Sequence, residues 1–516
     1  MRTKNLLLSG ICVLGLLTAC TEDEALETNN QDGDTYAQIA INITGNSALT
    51  RTTENTGETD PGTDEEQKVS DITVVLANSS DIAQYIYTPK LQAELTTHKE
   101  LRATKPFKVP AGSYKVYVLA NYNTAKKGLS PIIQNATDMT AYLTISEASK
   151  LSTNENFLMV NATAPDAQSF NAQTSIENEF DDDGTAITDT KNKVVKVIVD
   201  IERVVGKVTF DQTTTSFDIK DGAGKIAGVT LNGVGIINLN KKMKLVKSKE
   251  NATNKPTGLS DWAYPKDPNY DVELGSTTGV TNDVDITTWI SNNFSQSTVI
   301  PTTGFAHTFY APENTMTAAA QQNGQTTGVV YETTVTPEVY TKLDKDAVDP
   351  YSKKFKAVLD VTTRPTEITD AIFTTDDTEN VTNFYTYNGF IFKNETAALL
   401  YKAIAENASA EASAIIAAYN TAKNGDKADI LKYKEGKAYY TAWIKHNPNS
   451  TVANEQDKYG VVRNHWYILK VTKVNKLGYN KPTYEDPKDP DDPEEASIEV
   501  LATIKPWTIV KQDVEL

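Results

Sequence analysis

The chain has 516 residues, enough for two to four domains at about 150 residues each. Its hydrophobic content of 39% supports packed cores, and its 23% of charged residues excludes wholesale disorder. Fifty Lys and Arg against 68 Asp and Glu give a net charge of −18, which argues against a nucleic-acid backbone as partner. The two cysteines, Cys12 and Cys20, both precede residue 21. The rest of the chain therefore has no disulfide, no thiolate nucleophile and no cysteine metal site. Four histidines, His98, His307, His446 and His465, make a histidine relay or a His-rich metal site a poor expectation.

The first element is an address. Arg2 and Lys4 precede an apolar run over residues 6–17, too short to span a bilayer as a finished helix. The run ends in Leu17-Thr18-Ala19-Cys20, which resembles the lipobox of bacterial lipoproteins. That likeness implies removal of residues 1–19 by cleavage between Ala19 and Cys20, and lipidation of Cys20. Several acyl chains anchor stably where one is marginal. The acidic Thr21-Glu22-Asp23-Glu24 resembles the surface-export signal of Bacteroidota lipoproteins, or is a solvated tether.

Beyond it, short alternating runs predict a mainly β chain. In residues 36–44, Ile39, Ile41 and Ile43 share one face, and Gln38, Asn42 and Thr44 the other. Further strands are expected over 69–76 and 114–119. In residues 193–201, Val195, Val197, Val199 and Ile201 share a face. After Arg203 the parity changes to Val204, Gly206, Val208 and Phe210, the mark of a strand crossing between two sandwiches. Residues 229–239, 329–336, 355–361, 467–474 and 498–509 read as strands too. Many short strands with turns between them point to β-sandwiches. Residues 395–423 differ: Ala-rich, with no Gly or Pro, they predict one or two helices as an insertion packed on a sheet.

Two stretches read as disordered or extended. Residues 52–67 are acidic, with hardly any apolar side chain. Residues 484–497 contain Asp486-Pro487-Lys488-Asp489-Pro490-Asp491-Asp492-Pro493, whose spaced prolines favour polyproline II. They are expected to form a stiff tether that holds the last strand away from the body. The divisions are thus 1–19 signal, 20–51 propeptide, 52–203 and 204–483 two β domains, 484–497 tether, and 498–516 terminal strand.

No motif for chemistry stands out. There is no GxSxG, no phosphate loop, no HExxH and no CxxC. Gly222 to Gly228 has one residue too many for a dinucleotide fingerprint and reads as a tight turn. Asp181-Asp182-Asp183-Gly184 lacks the alternating ligands of a calcium loop. The expectation is no enzyme, no catalytic residue, no cofactor and no metal.

The two ends carry more. Arg51 is the only Lys or Arg between Lys4 and Lys68, and it heads a protease-accessible composition. A cut between Arg51 and Thr52 removes the anchor and the strand bearing Ile39, Ile41 and Ile43. A sandwich lacking a strand exposes a groove that calls for another strand. At the other end, Ile498, Val500, Ala502 and Ile504 share a face, followed by Trp507, Ile509, Val514 and Leu516. A removable strand, a groove and a spare strand suit β-strand addition between subunits.

The motif Val461-Val462-Arg463-Asn464-His465-Trp466-Tyr467 is followed by Lys476-Leu477-Gly478-Tyr479-Asn480 and Lys505-Pro506-Trp507. With Gly436 to Trp443, Phe309-Tyr310-Ala311-Pro312-Glu313-Asn314, the lipobox and Arg51, these resemble the fimbrillins of Bacteroidales. The nearest likeness is to the shaft subunits of the short, or minor, fimbriae of Porphyromonas. The resemblance implies two transthyretin-like β-sandwich domains and a lipidated precursor delivered to the outer-membrane surface. It implies an Arg-specific protease cutting at Arg51, and a C-terminal donor strand that fills the groove of a neighbouring copy. It further implies anchor and tip subunits as partners, and a fimbrial shaft supporting adhesion and biofilm formation. The helical region and the loops around Trp262 and Asp346 have no match in that family. The alternative function is a surface lipoprotein that captures glycans for nutrient uptake, with Trp262 and Trp289 lining a sugar site; a glycosidase is a third.

Overall fold

The structure is a computed structural model. It describes residues 35–43, 62–92, 101–170, 194–248, 264–276, 280–295, 302–492 and 497–506, apart from short gaps at 154–155, 223, 426, 428, 454 and 484–485. The described chain is mainly β.

A nine-stranded sheet organises the N-terminal part. Its main path runs Ala83–Tyr87, Ile72–Ala77, Gly112–Ala120, Met159–Asn161, Val194–Arg203, Thr35–Ile43 and Leu101–Ala103. Phe107–Val109 also pairs with Thr35–Ile43, and Ala167–Phe170 with Gly112–Ala120. Its core gathers Ile39, Ile41, Val74, Leu76, Val118, Met159 and Val199.

Two further sheets enclose a second core. One runs Phe309–Pro312, Val205–Phe210, His465–Val474, Ile498–Pro506; the other runs Ser216–Asp221, Gly224–Ile237, Gly328–Pro337, Lys437–Trp443. Val208, Leu469, Val471 and Ile498 of the first meet Val229, Val329, Tyr331 and Tyr440 of the second in one cluster. Two apolar faces buried against each other are what alternating strands require. The parity change after Arg203 has a structural counterpart. Val197, Val199 and Ile201 enter the first core, and so do Val204 and Val205, whereas Val208 enters the second. One nearly continuous run of chain thus serves both cores, and the change of core falls after Val205, beyond the expected phase break at Arg203.

A third core sits in an insertion between Gly328–Pro337 and Lys437–Trp443. The Ala-rich segment forms two helices, Glu395–Glu406 and Ala412–Asn424. They pack with the strands Phe384–Tyr387 and Phe390–Phe392 around Leu400, Ile404, Ile415, Tyr385 and Phe392. Asn394 caps the first of these helices by accepting from the Ala397 amide at 2.9 Å.

The strand expected over 355–361 is instead part of the helix Pro350–Leu359. Asp349 accepts from the Tyr351 and Ser352 amides, and Pro350 at the first helical position has no amide to leave unpaired. Phe355 and Val358, three apart, are both buried, so the helical period governs there. Residues 64–67 of the expected disordered stretch form a short helix, Asp64–Gln67. Only the start of the glycine-rich run at 222–228 lies between strands: Ser216–Asp221 and Gly224–Ile237 pair as far as Asp221↔Gly224, Gly222 has φ +56°, and Gly224 to Gly228 belong to the second strand.

Candidate functional site: the first and last strands

Thr35–Ile43 is an interior strand. It lies parallel to Val194–Arg203 along Tyr36 to Ile43, and antiparallel to Leu101–Ala103 and Phe107–Val109 on its other edge. Ala37, Ile39 and Ile41 are fully buried, and Ile43 nearly so. The face expected to be polar is covered too. Gln38 is buried and its Nε2 donates to the Thr104 carbonyl at 3.2 Å; the Ile39 amide donates to Thr104 Oγ1 at 3.0 Å. Asn42 donates to Asp200 Oδ1 at 3.1 Å. Burial of an Ile side chain stabilises by about 1.5–3 kcal/mol, so the three isoleucines together hold the strand by several kcal/mol. Its removal uncovers two backbone edges at once, that of Val194–Arg203 and that of Leu101–Ala103 with Phe107–Val109.

Ala19, Cys20, Arg51 and Thr52 lie outside the described residues, as do Trp507, Ile509, Val514 and Leu516. Description resumes after the expected cut at Gly62, and the chain is fastened there. Thr63 and Glu66 form a reciprocal capping box on Asp64–Gln67. Buried Glu66 contacts Lys207 Nζ at 2.8 Å and accepts from the Tyr310 hydroxyl at 2.6 Å. Its carbonyl accepts from Arg203 Nε at 2.9 Å. Burial alone raises the Glu66 carboxyl, but bonds from Lys207, Tyr310 and the Thr63 amide outweigh it and hold the group below its ordinary value of 4.5. The sequence reading passed over this clamp, although Thr63-Asp64-Glu65-Glu66 carries the capping-box spacing.

Glu66→Gln is expected to destabilise the protein by about 3 kcal/mol, because Lys207 is left buried without its carboxylate. A lowered folded value means that the wild-type contribution is complete above the ordinary glutamate range. It is lost as pH falls through the lowered value. Urea midpoints from neutral pH downward check this: the gap between wild type and variant should close only in acid.

Among the described residues, Ile498–Pro506 is an edge strand with one neighbour, antiparallel to His465–Val474 from Val474↔Ile498 to His465↔Pro506. Ile498 and Ala502 are buried, Val500 is half-buried, and Glu499, Leu501 and Thr503 face outward. The alternation therefore has the expected phase. Glu499 accepts from Lys473 at 3.3 Å and from Asn475 at 3.0 Å. Both strands are nine residues long. Both carry apolar residues at every second position: Ala37, Ile39, Ile41, Ile43 in one and Ile498, Val500, Ala502, Ile504 in the other.

The stretch expected to hold the last strand away from the body is itself docked on the body over residues 486–492. The Asn323 and Gly324 amides donate to the Asp489 and Pro487 carbonyls, each at 2.9 Å. Gln322 Nε2 donates to the Lys488 carbonyl at 2.9 Å, and the Asp491 amide to the Gln321 carbonyl at 3.0 Å. Asp492 pairs with Lys458 at 2.7 Å and accepts from the Tyr459 hydroxyl at 2.7 Å. Proline removes backbone donors but leaves every carbonyl free to accept, and the 321–324 turn supplies donors to them. The last strand is therefore folded into its own sheet, and its root is fixed.

Trp289 packs edge-on against Phe294, with ring centroids 5.6 Å apart, and Trp262 lies outside the described residues. No sugar site built on that pair is assembled among the described residues. Asp181 to Gly184 also lie outside them.

Two family models match this chain. The major fimbrial subunit protein (FimA) model matches residues 37–198, and the model of the C-terminal part of the type IV major fimbrial subunit protein, fimbrillin, matches residues 431–513. The first begins within Thr35–Ile43, and the second spans Ile498–Pro506. No curated protein sequence matches. Among solved structures, a fimbrillin from Porphyromonas gingivalis W83 is 14% identical, with 93% of this chain and 99% of that one covered and a TM-score of 0.39. The tip fimbrial protein Mfa3 of Porphyromonas gingivalis is 13% identical, with 92% and 99% covered and a TM-score of 0.28. A fimbrial assembly protein from Parabacteroides distasonis is 13% identical, with 59% and 84% covered and a TM-score of 0.24. The resemblance to fimbrillins drawn from the short motifs is thus shown by family models at both ends of the chain, and they support a structural subunit of a fimbrium.

Proposed function

We propose that this fimbrillin-like chain is a shaft subunit that polymerises by donor-strand exchange after a protease cuts it at Arg51. The observation that carries the reading is the contrast between the two strands. The strand next to the expected cut is interior and holds two edges apart. The last strand is an edge strand with the same length and apolar spacing. In the slot left by Thr35–Ile43, residues of a neighbour's terminal segment gain backbone partners on both sides, where they had one. Each pairing satisfies groups that an edge leaves to water. Repetition of the step builds a filament of identical copies, which ends on anchor and tip subunits.

In this reading Cys20 carries the lipid after the signal is cut between Ala19 and Cys20. The precursor resides at the outer-membrane surface until an Arg-specific protease frees it, and the mature protein is part of an extracellular fimbrium that supports adhesion and biofilm formation. Cys20→Ala should abolish labelling by a palmitate analogue, because residues 21–516 contain no other thiol. Undiminished labelling contradicts the lipid anchor. Mass spectrometry of the surface-bound protein separates this function from permanent glycan capture. A mature start at Thr52 supports the fimbrial reading; a start at acylated Cys20 supports the other.

A further inference from the structure

Arginine is scarce in this chain: six of its 50 basic residues, of which four lie beyond Arg51. An Arg-specific protease acting on the precursor meets all four, and local structure closes three of them. Arg203 and Arg463 are fully buried; Arg203 Nε donates to the Glu66 carbonyl and Arg463 Nη1 to the Leu245 carbonyl, each at 2.9 Å. Arg364 Nε donates to the Ile368 carbonyl at 3.0 Å, and Pro365 follows it. The bond after Arg364 therefore has no N–H and leads into a fixed φ, which a cleft shaped for an ordinary peptide bond does not accept.

The fourth, Arg102, is closed by a part that can leave. Ile41 lies opposite Arg102 in the ladder between Thr35–Ile43 and Leu101–Ala103, and Ala40 opposite Ala103. Thr104, the next residue, is tied to the same strand. Its amide donates to the Ile39 carbonyl at 2.8 Å, its Oγ1 accepts from the Ile39 amide at 3.0 Å, and its carbonyl accepts from Gln38 Nε2 at 3.2 Å. On the other edge the Gln92 amide donates to the Ala103 carbonyl and the Lys105 amide to the Lys90 carbonyl, each at 2.8 Å. Without Thr35–Ile43, this stretch keeps only that narrow second pairing, and a two-stranded remnant is marginally stable.

We propose that the Arg102–Ala103 bond is a second, conditional site of the Arg-specific protease, shut in the precursor and open in a cut subunit whose slot is empty. A protease binds its substrate as an extended strand and pairs its backbone, as a strand does when it adds to a free edge. While Thr35–Ile43 is in place, the backbone around Arg102 is already paired. Once that strand leaves, an extended edge containing an arginine is uncovered. Water then adds across the Arg102–Ala103 bond, giving an Arg102 carboxylate and an Ala103 ammonium, and the sheet is severed beside the slot. A neighbour's strand in the slot shuts the site again. The protease that activates a subunit thus also removes one that finds no neighbour. This inference rests on the assembly reading, because only a cut chain loses the strand.

The full chain is incubated at nanomolar concentration, where assembly is slow, with an endoprotease that cuts after Arg and not after Lys. Mass spectrometry reads the chain starts over time. A start at Thr52 should appear first, and a start at Ala103 should follow. Excess synthetic peptide of residues 35–43 refills the slot whatever the natural donor is. It should slow the Ala103 start by about tenfold or more, because proteolysis tracks the population of the open form. Arg102→Lys should give the Thr52 start without the Ala103 start, and Arg51→Ala should give neither. A Thr52 start with no Ala103 start after it overturns this inference alone. So does an Ala103 start that forms equally fast in Arg51→Ala or with the peptide present. No start at Thr52 overturns the assembly reading, and this inference with it.

Discussion

Arg51→Ala is expected to give a folded precursor that forms no filaments. Thr35–Ile43 is held by three nearly or fully buried isoleucines and by ladders on both edges. While the peptide chain is intact, this strand also rebinds from a high effective concentration, about millimolar or more for a short link. A strand from a neighbour competes poorly against that. Cutting after Arg51 turns an intramolecular partner into one that dilutes away on leaving. The Glu66 clamp keeps the remaining chain fastened from Thr63 onward, so the loss stays confined to the strand. Circular dichroism should match wild type, and unheated denaturing gels with protease should show monomer only. Normal ladders from uncut variant contradict the account.

Deleting residues 498–516 should leave a protein that accepts a donor but cannot provide one. It caps growing polymers and makes none by itself. The deletion also uncovers one edge of His465–Val474 and takes Ile498 and Ala502 from the second core, so some loss of stability is expected. Single substitutions separate the two effects. Ile504 has the sequence parity of Ile498, Val500 and Ala502, and Ile504→Asp puts a carboxylate on that apolar register. Burial of an unpaired carboxylate costs several kcal/mol. Lys511→Asp, beside Asp513 in a polar stretch, should be nearly silent. Each variant is mixed with protease-activated wild type and followed by ladder formation. Equal entry of the two into polymers shows that the Ile504 register is not the buried one.

The strands were legible because one face of each is buried, and burial writes a period of two into the sequence. The crossover between cores was legible for the same reason, but only to within a few residues: Val204, on the second parity, stays in the first core. The helix Pro350–Leu359 was misread because Phe355, Ala357 and Leu359 happen to alternate, although Asp349-Pro350 is a helix start. The docked acidic segment was illegible in principle. Its carbonyls bind amides of residues 323 and 324, and its Asp492 binds Lys458 and Tyr459, all remote in sequence. Composition reports how a segment behaves alone, and Asp491 is buried through contacts that composition does not contain. Gln38 shows the same limit: it reads as an exposed residue until Thr104 is brought beside it by the fold.

The central claim is that the last strand leaves its own sheet to join another subunit, and a lock tests it most directly. Lys470 and Leu501 are opposite each other in the ladder between His465–Val474 and Ile498–Pro506, and Leu501 is 53% exposed. Directly opposed strand residues are close enough for a disulfide. The mature chain from Thr52 has no cysteine of its own, so Lys470→Cys with Leu501→Cys can form only the intended intrachain bridge within a monomer. After cleavage at Arg51, the oxidised double variant should remain monomeric, and reductant should restore ladders to the wild-type length. Long ladders from fully oxidised protein would show that the last strand stays at home during assembly and that the donor lies elsewhere.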